Sequence, residues 1–181
     1  MLNGQTNRIS KRIPVFGDVS SKEDAHRLVQ AAIDAWGRID IIVNNASSNW
    51  VGNILDMDKE LWDVQIASKL SGTFYLMQEA LPYMVKQGYG RIINSASEAF
   101  TGISNHAAYA AGNAGVVALT KASAKDLSGT GITVNAYTPL ARTRHRQHWH
   151  CGRFSALQCW ICQKETAGMV HTDKNWTENP V

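Results

Sequence analysis

The sequence is sparing with cysteine, proline and charge. Its three cysteines, an odd number, argue against a secreted disulfide framework and fit a reducing compartment. Basic and acidic residues number 18 and 15, and the resulting +3 is too weak to argue for nucleic acid or a membrane surface. No apolar run approaches the roughly 18–20 residues that a membrane span needs. The opening MLNGQTNRISKR has no apolar core of a secretory signal. A soluble cytoplasmic protein is therefore expected. A glycine-rich phosphate turn is missing too. No G-x-G-x-x-G or G-x-x-x-G-x-G occurs, and Gly129-Thr130-Gly131 precedes a strand rather than a helix, so it reads as an ordinary turn.

What the chain does have is an alternation of elements. Its 181 residues, 44% of them apolar, suffice for one domain with a hydrophobic core. Residues 12–17, RIPVFG, read as a short buried strand. Ser20 with Glu23 three residues on offers a capping box, followed by an apolar stripe of Ala25, Leu28, Val29, Ala32, Ile33 and Trp36, which Gly37 stops. The continuous run Ile39–Val43 reads as a strand inside a parallel sheet and ends in Asn44-Asn45. A long helix is expected over about 58–86, with a kink at Pro82. Then come a strand over 90–96, a helix over 109–127 and a strand over 132–136. Strands alternating with helices predict an α/β fold with a parallel sheet.

The pattern stops near residue 144. Residues 145–181 hold all three cysteines, four of the six histidines and three of the six tryptophans, with no helix or strand period. We read 1–144 as the domain and 145–181 as a divergent, disordered tail. Cys159-x-x-Cys162 with His148, His150 and Cys151 suggests half a zinc site, but a second knuckle and a surrounding hairpin signal are lacking, so no metal is expected. Arg142, Arg144, His145, Arg146 and Arg153 around Trp149 read as a solvated basic run rather than a nucleic-acid site.

Two residues in the domain carry chemistry. Tyr109 opens a helix of small residues, YAAGNAGVVALTKA, and Ser97 ends the strand twelve residues before it. A phenol can exchange a proton with a carbonyl or alcohol oxygen while a hydroxyl orients that oxygen. A phenol of pKa near ~10 needs a cation close by to work around neutrality. One turn on from Tyr109 stands Asn113, a neutral amide.

In this order, the motifs resemble the short-chain dehydrogenase/reductase superfamily over about residues 9–144. Asp18-Val19 is similar to its adenine-contacting pair, Asn44-Asn45-Ala46-Ser47 to its N-N-A-G turn, and Trp62 through Phe74 to the helix lining its active site. Ser97 and Tyr109 match its catalytic serine and tyrosine. Val134-Asn135-Ala136 with Pro139 and Thr143 resembles the stretch contacting nicotinamide. The resemblance implies a Rossmann-like, doubly wound parallel sheet and hydride transfer between NAD or NADP and a small alcohol or carbonyl substrate. It implies catalytic roles at Tyr109 and Ser97, cofactor contacts at Asp18, Val19, Asn45, Ala46, Pro139 and Thr143, and a homodimer through helices 58–86 and 109–127. Neither nucleic acid nor a membrane is implied as a partner.

The chain departs from that pattern. It reads as starting just before the family's third strand, so the sheet is expected to be partial, lacking the first two strands and the glycine-rich loop. Residues 12–17 would then have no neighbour, and strand 39–44 would expose an edge. The family's Tyr-x-x-x-Lys is Tyr109-Ala-Ala-Gly-Asn113 here, whereas Lys69 stands where the family has asparagine. Either Lys69 reaches toward Tyr109 and restores the cation, or both changes are drift. Leu140 replaces a glycine beside the nicotinamide position. Two readings stay open: an oxidoreductase of this type, or a non-catalytic truncated form that associates through its helices.

Overall fold

The computed structural model describes residues 13–139 and the backbone of 159–162. Helix α1 (Lys22–Trp36) opens at Ser21, whose hydroxyl accepts the Asp24 amide at 3.2 Å. The cap is thus Ser21 and not the expected Ser20. The Asp18 carboxylate already binds the Ser20 amide at 2.9 Å and hydroxyl at 2.8 Å, which ties Ser20 into the preceding turn. At the other end Gly37, at φ 70°, returns its N–H to the Ile33 carbonyl at 2.7 Å, a left-handed stop that glycine takes without a Cβ penalty.

Strand β1 (Ile41–Asn44) follows. Helix α2 (Lys59–Ile66), capped by Asp58 accepting the Leu61 amide at 2.7 Å, runs through a π turn at 67–71 into α3 (Gly72–Gln87). The irregularity expected at Pro82 lies instead at this π turn, where the Gly72 amide reaches back to the Ala67 carbonyl. The helix continues through Pro82 because both Pro82 and Gln78, the residue whose carbonyl loses its partner, are exposed to solvent. Strand β2 (Gly90–Ser95), helix α4 (Ala107–Asp126) and strand β3 (Ile132–Tyr137) match the expected elements to within a residue or two at most ends. Strand β4 (Cys159–Cys162) completes the described elements.

The sheet order is β3-β2-β1-β4. The first three strands run parallel, with Ile42 opposite Ile92 and Ile92 opposite Val134. This is a partial Rossmann-like α/β fold. Two edge expectations need correction. Strand β4 pairs antiparallel with β1, Asn44 opposite Cys159 and Ile41 opposite Cys162, so the described sheet does not leave that edge open. Its Cys-Trp-Ile-Cys sequence is apolar throughout and only four residues long, which hides any strand period. Residues 13–17 form no strand. Among the described residues β4 occupies the edge of β1 that they would have neighboured, and Pro14 offers no amide to donate.

The core lies under one face of the sheet. Ile39, Ile42, Ile92, Ile132 and Val134 meet Ala25, Val29 and Ala32 of α1 and Leu76, Met77, Ala80 and Met84 of α3. A buried polar chain crosses the same layer: Asn44 Nδ2 donates to Asn94 Oδ1 at 2.8 Å, Asn94 Nδ2 to Thr120 Oγ1 at 2.9 Å, and that hydroxyl to the Val116 carbonyl at 2.8 Å. It locks α4 onto the β1–β2 pair. Ile93, Thr133 and Asn135 on the other face are exposed. Among the described residues no helix is long and apolar enough to cross a membrane.

Candidate active site at the carboxyl edge of the sheet

Parallel strands end together, so the turns after β1, β2 and β3 gather at one edge, the usual ligand side of an open α/β sheet. Tyr137 Oη donates to Asn45 Oδ1 at 3.0 Å and so joins the end of β3 to the end of β1 across β2. Ser97 leaves β2 in extended conformation and caps a short 3₁₀ turn, Glu98–Thr101, its Oγ accepting the Ala99 amide at 3.3 Å. That bond uses an acceptor lone pair and leaves the hydroxyl proton free to donate. The 3₁₀ turn packs on α4. Tyr109, half-buried in the first turn of α4, meets His106 edge-to-face at 6.1 Å between ring centres. Ser97 and Tyr109 thus belong to two elements that pack on each other.

The expected cofactor residues sort into three groups. Val19, Asn45 and Ala46 come together, lining one small cavity with Asn44, Ser68, Gly72, Thr73 and Leu76. Gly72 permits that approach: a Cβ there would lie 2.9 Å from the Val19 carbonyl oxygen. Asn44 keeps a buried Oδ1 with no partner among the described residues. Asp18 is adjacent in sequence, with its carboxylate turned into its own loop toward Ser20. Pro139 is exposed after β3. Thr143 and Leu140 lie outside the described residues, as do His148, His150, Cys151 and the basic run. Among the described residues no group of three or more His, Cys, Asp or Glu is placed to hold a metal.

Lys69 and Asn113 meet at the contact between the π turn and α4. Lys69 is only 3% exposed, and burial lowers its pKa from 10.5 to about 8. A Cβ on Gly112 would lie 3.3 Å from Lys69 Cβ and 3.4 Å from its Cγ. Asn113, fully buried, donates Nδ2 to the Tyr109 carbonyl at 2.7 Å, while its Oδ1 has no partner among the described residues. Sequence reasoning missed Gln65 and Ser68. Gln65 Oε1 accepts the Trp50 amide at 3.2 Å, and the Ser68 hydroxyl meets the Ser48 hydroxyl at 2.9 Å, so together they hold the loop after β1. Gln65 and Lys69, four residues apart, share a helix face, but which neighbour that face meets was not legible without the packing.

The chain matches the family model described as short chain dehydrogenase over residues 3–149. It is 41% identical over 122 residues to the (2S)-[(R)-hydroxy(phenyl)methyl]succinyl-CoA dehydrogenase subunit BbsD of Thauera aromatica, covering 67% of this chain and 49% of that protein. It is 37% identical over 127 residues to the 3-oxoacyl-[acyl-carrier-protein] reductase FabG of Thermotoga maritima, covering 70% and 52%. Among solved structures, an NAD+-bound xylitol dehydrogenase superposes with a TM-score of 0.65 at 32% identity, covering 67% of this chain and 48% of that one. The chain spans about half the length of the curated relatives it matches.

Proposed function

The chain belongs to the short-chain dehydrogenase family, and from that premise we propose that it serves hydride transfer between NAD or NADP and an alcohol or carbonyl substrate. The observation that carries this reading is the pairing of elements at the carboxyl edge: the 3₁₀ turn capped by Ser97 packs on α4, the helix whose first turn holds Tyr109. A nicotinamide cofactor, when bound, supplies or accepts the hydride. The residues here fit such a group on the β1 side. Val19, Asn45 and Ala46 line a recess of about 10 Å³, room for one water and not for a nucleotide, so a cofactor would lie across its mouth, where Asn44 Oδ1 is a buried acceptor with no partner among the described residues. Tyr109 Oη exchanges a proton with the substrate oxygen, and the Ser97 hydroxyl donates a hydrogen bond to it.

The test is a fluorescence titration with NADH and with NADPH, followed by turnover with a 3-oxoacyl thioester and with xylitol as probe substrates. Tyr109→Phe should leave cofactor binding unchanged and reduce turnover by about 10²–10⁴-fold, the usual range for losing a general acid–base group. Absence of binding at millimolar cofactor would refute the reading.

A second reading, a non-catalytic form that associates through its helices, draws on one observation. Trp62, Val64 and Phe74, on the continuous helix from Lys59 to Gln87, are 41%, 58% and 42% exposed. Apolar side chains on one helix suit a homodimer contact. Sedimentation showing a dimer without cofactor binding would favour it.

A further inference from the structure

Resting on the reading of Tyr109 as the proton-transferring group, we infer that Lys69, delivered from the π turn of the neighbouring helix, is the positioning cation that favours the ionised phenol of Tyr109. The need is chemical. A phenol ionises near ~10 unless a positive charge stands by. The residue one turn further along α4 cannot supply that charge, since Asn113 is a neutral amide whose Nδ2 is committed to the Tyr109 carbonyl.

Three observations point to Lys69. Its stem lies against Gly112. Gly112 is three residues beyond Tyr109, so the two share a helix stripe with positions about 5–6 Å apart. Second, glycine at 112 is what admits the approach, because a Cβ there would crowd Lys69 Cβ at 3.3 Å. Third, Lys69 is 3% exposed, so its charge is poorly screened and acts further than that of a surface lysine. Other described cations near the site do not compete. Lys59 is paired with Asp63, and Arg91 lies over the Tyr89 ring. The charged and titratable groups on α4 and the elements packed against it are His106 at its cap, Lys121, Lys125 and Asp126 toward its far end, Glu98 on the 3₁₀ turn, Lys59, Glu60 and Asp63 on α2, Arg91 on β2, Tyr137 on β3 and Lys69 on the π turn.

The experiment is a ¹³Cζ-tyrosine NMR titration of the whole chain from neutral to alkaline pH, with Tyr109 identified among the five tyrosines by Tyr109→Phe. Tyr109 should titrate below the ordinary phenol range. Lys69→Met should raise its pKa by about 1–3, and Lys69→Arg should keep it low. An ordinary Tyr109 pKa, or one that Lys69→Met leaves unmoved, overturns the inference. Should Lys69→Met not fold, the reciprocal measurement on Tyr109→Phe decides: the Lys69 ¹³Cε titration should shift when the phenolate is removed, and an unchanged curve overturns the inference. The two proposals fail separately. Absent cofactor binding retires the oxidoreductase reading without touching these titrations, whereas an ordinary Tyr109 pKa in a chain that turns over retires only the role of Lys69.

Discussion

Lys69→Met should make this protein more stable at neutral pH, and the gain should vanish in alkali. The side chain is 3% exposed, and its pKa falls from 10.5 to about 8 because burial penalises the ammonium. A folded-state pKa below the unfolded value means that the unfolded chain binds the extra proton between those two pH values. Stability therefore rises with pH through that window. Below pH 8 the folded protein carries the whole burden, which at 1.4 kcal/mol per pKa unit is about 3 kcal/mol. Methionine has a similar length and flexibility and no charge, so it removes the burden without opening a cavity. Urea denaturation of both proteins at steps from pH 6.5 to 10.5 measures the difference directly. The gap should be near 3 kcal/mol up to about pH 8 and shrink toward nothing by about 10.5, with equal m-values. A variant that is less stable at pH 7, or a gap that does not change with pH, would show that the ammonium stays well solvated in the fold.

Two further predictions follow from packing. Gly72→Ala should cost about 1–3 kcal/mol in thermal denaturation, since its Cβ would press on the Val19 carbonyl and side chain at 2.9 Å. Asn94→Leu removes the link between Asn44 and Thr120 and should cost about 1–3 kcal/mol for each group left unpaired, read by urea denaturation. A loss below 1 kcal/mol would mean that water replaces the asparagine.

Much of the fold was legible in the chain. The stripe Ala25-Val29-Ala32, the run Ile39–Val43 and the small residues after Tyr109 each impose a local period, and each became the element it announced. Gly37 ended its helix because only the glycine backbone turns left-handed there at little cost. Ser97 and Tyr109 could be singled out only together, by their spacing across a strand end and a helix start, since neither residue type is unusual at its own position. Other features depend on residues distant in sequence. Ser20 looked as good a cap as Ser21 until the Asp18 carboxylate took it. The segment 13–17 had strand composition but found no partner, while four residues near the other end of the chain took the edge of β1. The π turn, the burial of Lys69 and its approach to Gly112 arise where two helices meet. A sequence specifies which backbone conformations each short stretch favours. Which side chains lose water, and which charges thereby gain reach, is decided only when those stretches pack.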